Sequence, residues 1–130
     1  MSLHSALTPE NYHMIDRKLL EKLNPESILI NTARGGIVDE SVMTELLIEN
    51  RFRAVLDVFS HEPLEKNNLL RKLSNVYLFP HRAGPTYDRR KCVTQSLADD
   101  IENFFMGKPI RLEITKEYAS HMTKEGTNIK

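Results

Sequence analysis

The sequence predicts an α/β fold built on a doubly wound parallel sheet with helices on both faces, and three observations carry that expectation. Short apolar runs at residues 28–30, 55–59 and 76–79 read as buried strands. The segments between consecutive runs have helical spacing, and the alternation of strand and helix implies a parallel sheet. Each run leads to a chemically capable side chain: Arg34, Glu62 and His81 in turn. Right-handed crossovers would place all three C-terminal strand ends on one sheet edge, where open α/β sheets bind ligands.

Taken in order, residues 3–7 form a short apolar stub followed by Thr8-Pro9-Glu10, in which Thr8 can cap a helix with Pro9 in its first turn. Ile15, Leu19, Leu20 and Leu23 have helical spacing, with Asp16 as a cap and Asn24-Pro25 as the stop. Residues 27–31 are a compact apolar strand, and Arg34-Gly35-Gly36 is a glycine turn. Asp39 caps a helix whose buried face is Val42, Met43, Leu46 and Leu47. Residues 54–59 are the next strand, and the polar stretch 60–74 holds one helical turn near 69–73. After the strand at 76–79 comes the longest helix, capped by Thr86 and stopped by Gly107 and Pro109. Its stripe of Val93, Leu97, Ile101, Phe104 and Phe105 reads as core. The alternation of Ile110, Leu112 and Ile114 permits a short edge strand, and residues 120–130 read as a frayed end.

The totals narrow the class of function. A chain of 130 residues can bury roughly 65–70% of its unfolded surface as one domain. Lys+Arg and Asp+Glu are 18 each, so net charge gives no argument for nucleic acid or an acidic membrane. A lone cysteine, Cys92, excludes an internal disulfide and reads as structural. The five histidines lack metal-ligand spacing, so no metal site is expected. With no signal peptide at the start and no apolar run of membrane-spanning length, a cytoplasmic location is expected.

Arg34 offers a planar fork for a carboxylate, and its two following glycines let backbone approach a ligand. His81 can exchange a proton near neutral pH, and a neighbouring Glu62 would stabilise its imidazolium. Taken singly, each of the three also fits a solvated loop side chain. Asp57 fits that bland reading least, because a carboxylate inside an apolar strand needs donors, from backbone or from a ligand amide. The combination suits oxidation of a hydroxy acid, with a base removing the hydroxyl proton. Nothing in the side chains accepts a hydride, so a cofactor is required.

Three stretches carry a family resemblance. They are Asn31-Thr32-Ala33-Arg34-Gly35-Gly36-Ile37-Val38-Asp39-Glu40, then Leu56-Asp57-Val58-Phe59 with Glu62-Pro63, then Asn75-Val76 with Pro80-His81 and Ala83-Gly84. In order and spacing, across roughly residues 3 to 109, the chain resembles the D-isomer-specific 2-hydroxyacid dehydrogenases. The resemblance implies that Arg34 binds the substrate carboxylate and contacts the nicotinamide side. It implies that His81 is the acid/base, paired with Glu62, and that Asp57 accepts a hydrogen bond from the nicotinamide carboxamide. Thr32, Ala33 and Gly84 would line the cofactor through backbone, and Ala6, Leu7 and Thr8 would lie near its adenosine half. NAD is the cofactor so implied, and a small 2-hydroxy or 2-keto acid the substrate. NADP stays open, because the discriminating residue after the second strand is not in the sequence.

One departure is an absence. The family's G-x-G-x-x-G turn, which cradles the pyrophosphate, does not occur here, nor does a substrate domain. The chain is therefore expected to be an incomplete, Rossmann-like half. Residues 1–109 would be the C-terminal portion of the NAD-binding domain, and 110–130 a partly disordered extension. Such a truncated dehydrogenase is expected to be weak or inactive alone. The rival reading is a non-catalytic assembly module, because half a doubly wound sheet exposes an apolar edge and face that invite a homo-oligomer, a dimer. A flavodoxin-like signalling domain is a weaker rival, because Asn31-Thr32 offers no acidic cluster.

Overall fold

A computed structural model describes residues 1–122. The chain divides into two compact units, Met1–Ala83 and Gly84–His121. In the first, four strands, β1 (Ser2–Leu3), β2 (Ile28–Asn31), β3 (Arg53–Leu56) and β4 (Val76–Leu78), form a wholly parallel sheet in the order β1-β2-β3-β4. This is the parallel, Rossmann-like arrangement that the alternating pattern predicts. The N-terminal strand is shorter than the apolar stub at 3–7: only Ser2 and Leu3 pair, with Ile30 and Asn31.

The helices follow their caps. Asp16 accepts from the Leu19 N–H to start α1 (Arg17–Leu20), and Asp39 accepts from the Val42 N–H to start α2 (Glu40–Ile48). Single turns of 3-10 helix occupy Pro9–Asn11, Gly35–Ile37 and Leu69–Lys72. Asn75 joins two elements by donating to the Leu47 and Phe52 carbonyls at 2.9 and 3.0 Å. That bond fixes where the end of α2 meets the start of β3.

The core lies on one side of this sheet. Leu29, Ala54 and Leu56 point from the strands into a cluster with Leu20, Met43, Leu46, Leu47, Phe52 and Leu70. Strand residues alternate in direction, so Ile28, Ile30, Val55 and Tyr77 belong to the other face. Ile28 and Tyr77 are 39% and 64% exposed. Strand order explains the asymmetry. Four successive parallel strands each one step onward require crossovers of the same sense, and same-handed crossovers return on the same face. Within this unit the helices thus pack on one face of the sheet, where the sequence predicts both.

The second unit holds α3 (Tyr87–Phe105) and α4 (Lys116–Ser120). Two expectations change here. The apolar stripe of α3 is not core: Val93, Leu97, Ile101 and Phe104 are 47% to 64% exposed and Phe105 is 82% exposed. The alternation at Ile110, Leu112 and Ile114 does not form a strand, because the Arg111 and Leu112 N–H groups donate instead to the buried carboxylate of Asp100. Gly107 ends α3 at φ +65°, a conformation that glycine adopts without steric cost. Cys92 is exposed on this helix rather than packed. Ser120 closes α4, and the rest of the expected frayed end, 123–130, lies outside the described residues. No described helix is long and apolar enough to cross a membrane.

The burial pattern sets two mutational expectations. Leu47→Ala, at a fully buried site, should cost roughly 2–5 kcal/mol in urea unfolding. Leu97→Ala, on the exposed stripe, should stay within about 0.5 kcal/mol of the parent.

Candidate active site

A parallel sheet ends in backbone groups that no neighbouring strand pairs, and two buried polar side chains deal with them here. Asn31, 2% exposed at the end of β2, folds the next loop onto itself. Its amide donates to the Arg34 carbonyl at 3.0 Å, and its side-chain oxygen accepts from the Ala33 N–H at 3.1 Å. Asp57, 3% exposed just past β3, does the same for the loop after β4. Its two carboxylate oxygens accept from the Arg82 and Ala83 N–H groups at 2.7 and 2.8 Å, and its carbonyl accepts from the His81 N–H at 2.9 Å. The donors that Asp57 requires are therefore backbone amides, one of the two solutions the sequence leaves open.

These clamps hold His81 at φ +51°, in the left-handed region. Its Nδ1 lies 2.7 Å from Glu62 Oε2, while Glu62 Oε1 accepts from the Phe59 N–H at 3.0 Å. The glutamate thus spans its own loop and the imidazole. With Nδ1 committed to a carboxylate, the neutral ring carries its proton there and presents Nε2 as the free acceptor. A cavity of about 500 Å³ opens beside this pair, lined by Phe59, Leu64, Leu78 and Phe79 together with Glu62 and His81.

Arg34 stands apart from that contact. It is exposed, its guanidinium donates to the Ala33 carbonyl at 2.7 Å, and it does not line the cavity. Its loop is nevertheless tied to the glutamate loop by close packing. A Cβ on Gly35 would come within 2.0 Å of the Phe59 carbonyl carbon and 2.4 Å of the Ser60 nitrogen. Only glycine fits against backbone at that range. Thr32 is half-buried and Ala33 buried in the Arg34 loop. Ala6, Leu7 and Thr8 are half-buried after β1, where Asn11 donates to the Ala6 carbonyl and accepts from the Thr8 N–H. Gly84 begins the second unit, with open space around its Cα. Among the described residues, no group of three His, Cys, Asp or Glu side chains is placed to hold a metal.

Sequence reasoning passes over Asn31, Gly35 and Glu40 as individual site residues. Asn31 carries the signal that singles out Asp57, a polar group at the end of an apolar strand. Gly35 and Glu40 act through contacts more than 19 residues away in sequence, which no local pattern reports.

A family model for the NAD-binding domain of D-isomer specific 2-hydroxyacid dehydrogenases matches residues 1–83. A glyoxylate reductase of Thermococcus litoralis is 40% identical over 109 residues, covering 83% of this chain and 33% of that protein. A hydroxyphenylpyruvate reductase of Plectranthus scutellarioides is 41% identical over 105 residues, covering 80% and 33%. Among solved structures, an NADPH-dependent glyoxylate/hydroxypyruvate reductase of Sinorhizobium meliloti, in complex with NADP and sulfate, superposes with a TM-score of 0.76. It is 28% identical, covering 90% of this chain and 38% of the other. The chain spans about a third of the length of the curated relatives it matches.

Two substitutions probe the scaffold of the site. Asp57→Asn, at a buried side chain, turns an amide NH2 toward one of the two N–H groups it now accepts from and should lower stability by about 1–3 kcal/mol in urea unfolding. Gly35→Ala should shift the backbone amide signals of Phe59 and Ser60 in a ¹⁵N-HSQC spectrum, since the new methyl would meet their backbone.

Proposed function

The chain belongs to the D-isomer specific 2-hydroxyacid dehydrogenase family, and we propose on that basis that it carries the acid/base half of a site that interconverts a 2-keto acid and a D-2-hydroxy acid. The observation that carries the proposal is the 2.7 Å contact between His81 Nδ1 and Glu62. In the reducing direction the protonated imidazole gives its Nε2 proton to the 2-keto oxygen; in the oxidising direction neutral Nε2 takes the hydroxyl proton. Glu62 holds the ring's orientation and balances its charge when both nitrogens are protonated. Arg34, exposed at the end of the neighbouring strand, binds the substrate carboxylate through its guanidinium fork.

The residues present fit the nicotinamide end of an NAD(P) cofactor. A carboxylate has about four lone-pair sites, and the Arg82 and Ala83 N–H groups take one on each Asp57 oxygen, which leaves acceptor capacity for a carboxamide. The Thr32–Ala33 backbone would line the same end, and Ala6, Leu7 and Thr8 the adenosine half. When bound, the nicotinamide supplies or accepts the hydride. The sequence contains no glycine-rich turn for the pyrophosphate. The chain by itself therefore binds such a cofactor weakly and turns over slowly if at all.

A second reading is favoured by the apolar surface left open on the sheet, where Ile28, Tyr77 and Phe79 are 39%, 64% and 48% exposed. On that reading the chain is a non-catalytic assembly module that associates with another chain. Light scattering after size exclusion separates the two, since a well-behaved monomer counts against assembly.

Titration with NADH and with oxamate, a 2-keto acid mimic, followed by ¹⁵N-HSQC tests the first reading. Shifts should cluster at Thr32, Ala33, Arg34, Asp57 and His81, and Arg34→Ala should abolish those caused by oxamate. Shifts scattered elsewhere would sink the site assignment. Turnover of glyoxylate with NADH at ordinary enzyme rates, about 1–10³ s⁻¹, would overturn the expectation of weak activity.

A further inference from the structure

Glu40 is the first residue of α2, where a negative charge beside the helix N-terminus would be explanation enough. Its side chain does something else as well. Oε2 accepts from the Ser60 N–H at 2.7 Å, across 20 residues of sequence. The preceding N–H, that of Phe59, is held by Glu62 Oε1 at 3.0 Å. Two consecutive amides of the loop after β3 are thus bound by two carboxylates, one from within the loop and one from α2. Glu62 keeps Oε1 on the Phe59 N–H while Oε2 meets His81, so one carboxylate ties the conformation of residues 59–62 to the imidazole. On the other side, Phe59 carbonyl and Ser60 nitrogen back onto Gly35. Glu40 follows that glycine by five residues, so its bond closes a ring between the Arg34 segment and the Glu62 segment.

We propose that Glu40 is a positioning residue for the Glu62–His81 pair, acting through the Ser60 N–H, in a role that rests on the acid/base reading of that pair. Its oxygen as an acceptor, rather than its charge alone, keeps the loop in the shape that delivers Glu62 to Nδ1. Removing it leaves the loop anchored at β3 but free to turn beyond Phe59. Glu62 would then lose its fixed distance to the imidazole, and the neutral ring would no longer hold one tautomer.

The test needs no turnover and uses the whole chain. Long-range ¹H–¹⁵N spectra at alkaline pH report which nitrogen of His81 carries the proton, and amide exchange reports Ser60. The parent should show the Nδ1–H form. Glu40→Ala should introduce a clear Nε2–H fraction and speed Ser60 exchange roughly tenfold, about the equivalent of one lost hydrogen bond to a charged group. Glu40→Gln, which keeps an acceptor oxygen, should restore both. If Glu40→Ala leaves the tautomer and Ser60 exchange as in the parent, the proposal fails. Equal effects of Ala and Gln would also overturn it, by assigning the role to charge at the helix start. If the parent itself lacks the Nδ1–H form, it is the acid/base reading of the pair that falls. The Ser60 exchange then still reports the Glu40 bond separately.

Discussion

The site rests on the need to satisfy the backbone at the ends of parallel strands. Where β2 and β3 stop, the chain must turn away from the ladder, and its N–H and C=O groups lose their neighbours. Asn31 and Asp57 meet that need from inside, each nearly fully buried and each hydrogen-bonded twice through its side chain to the loop it shapes. The two are also linked, because the Asp57 N–H donates to the Asn31 carbonyl at 2.9 Å. Burying an amide and a carboxylate without such partners would be costly. With them, the loops that carry Arg34 and His81 inherit the rigidity of the sheet.

A second constraint is proximity. Gly35 lets the arginine loop rest on the Phe59 carbonyl, so the Arg34 and Glu62 segments are not independent. Side-chain polar contacts then fine-tune what backbone packing has brought together: Glu62 to Phe59 and His81, Glu40 to Ser60. The candidate site's side chains are placed by loops, the loops by buried polar residues, and those residues by apolar strands that share one core.

Much of this was legible in the sequence, for reasons that differ by element. β2, β3 and β4 announce themselves as β-branched and apolar runs, and α1 and α2 by their Asp caps. The pairing of Glu62 with His81 follows from the strand-end geometry together with the family resemblance. Other features depend on distant residues. Ile110, Leu112 and Ile114 alternate as a strand does, yet Asp100 claims the N–H groups that a strand would use. The stripe on α3 reads as core because periodicity shows which residues share a face and not what covers it. The one-sided core follows from strand order, which single-residue patterns do not encode.

The backbone of His81 deserves a last consequence. At φ +51° it occupies a conformation that Asn and Asp also tolerate but β-branched residues resist. Variation at this position is therefore filtered by handedness of the chain and, on the proposed acid/base reading, by proton chemistry as well. A chain that abandoned the chemistry would still be confined to a narrow set of side chains here. A histidine in such a place is thus weaker testimony to catalysis than its conspicuousness suggests, and the carboxylate placed against its Nδ1 is the stronger witness.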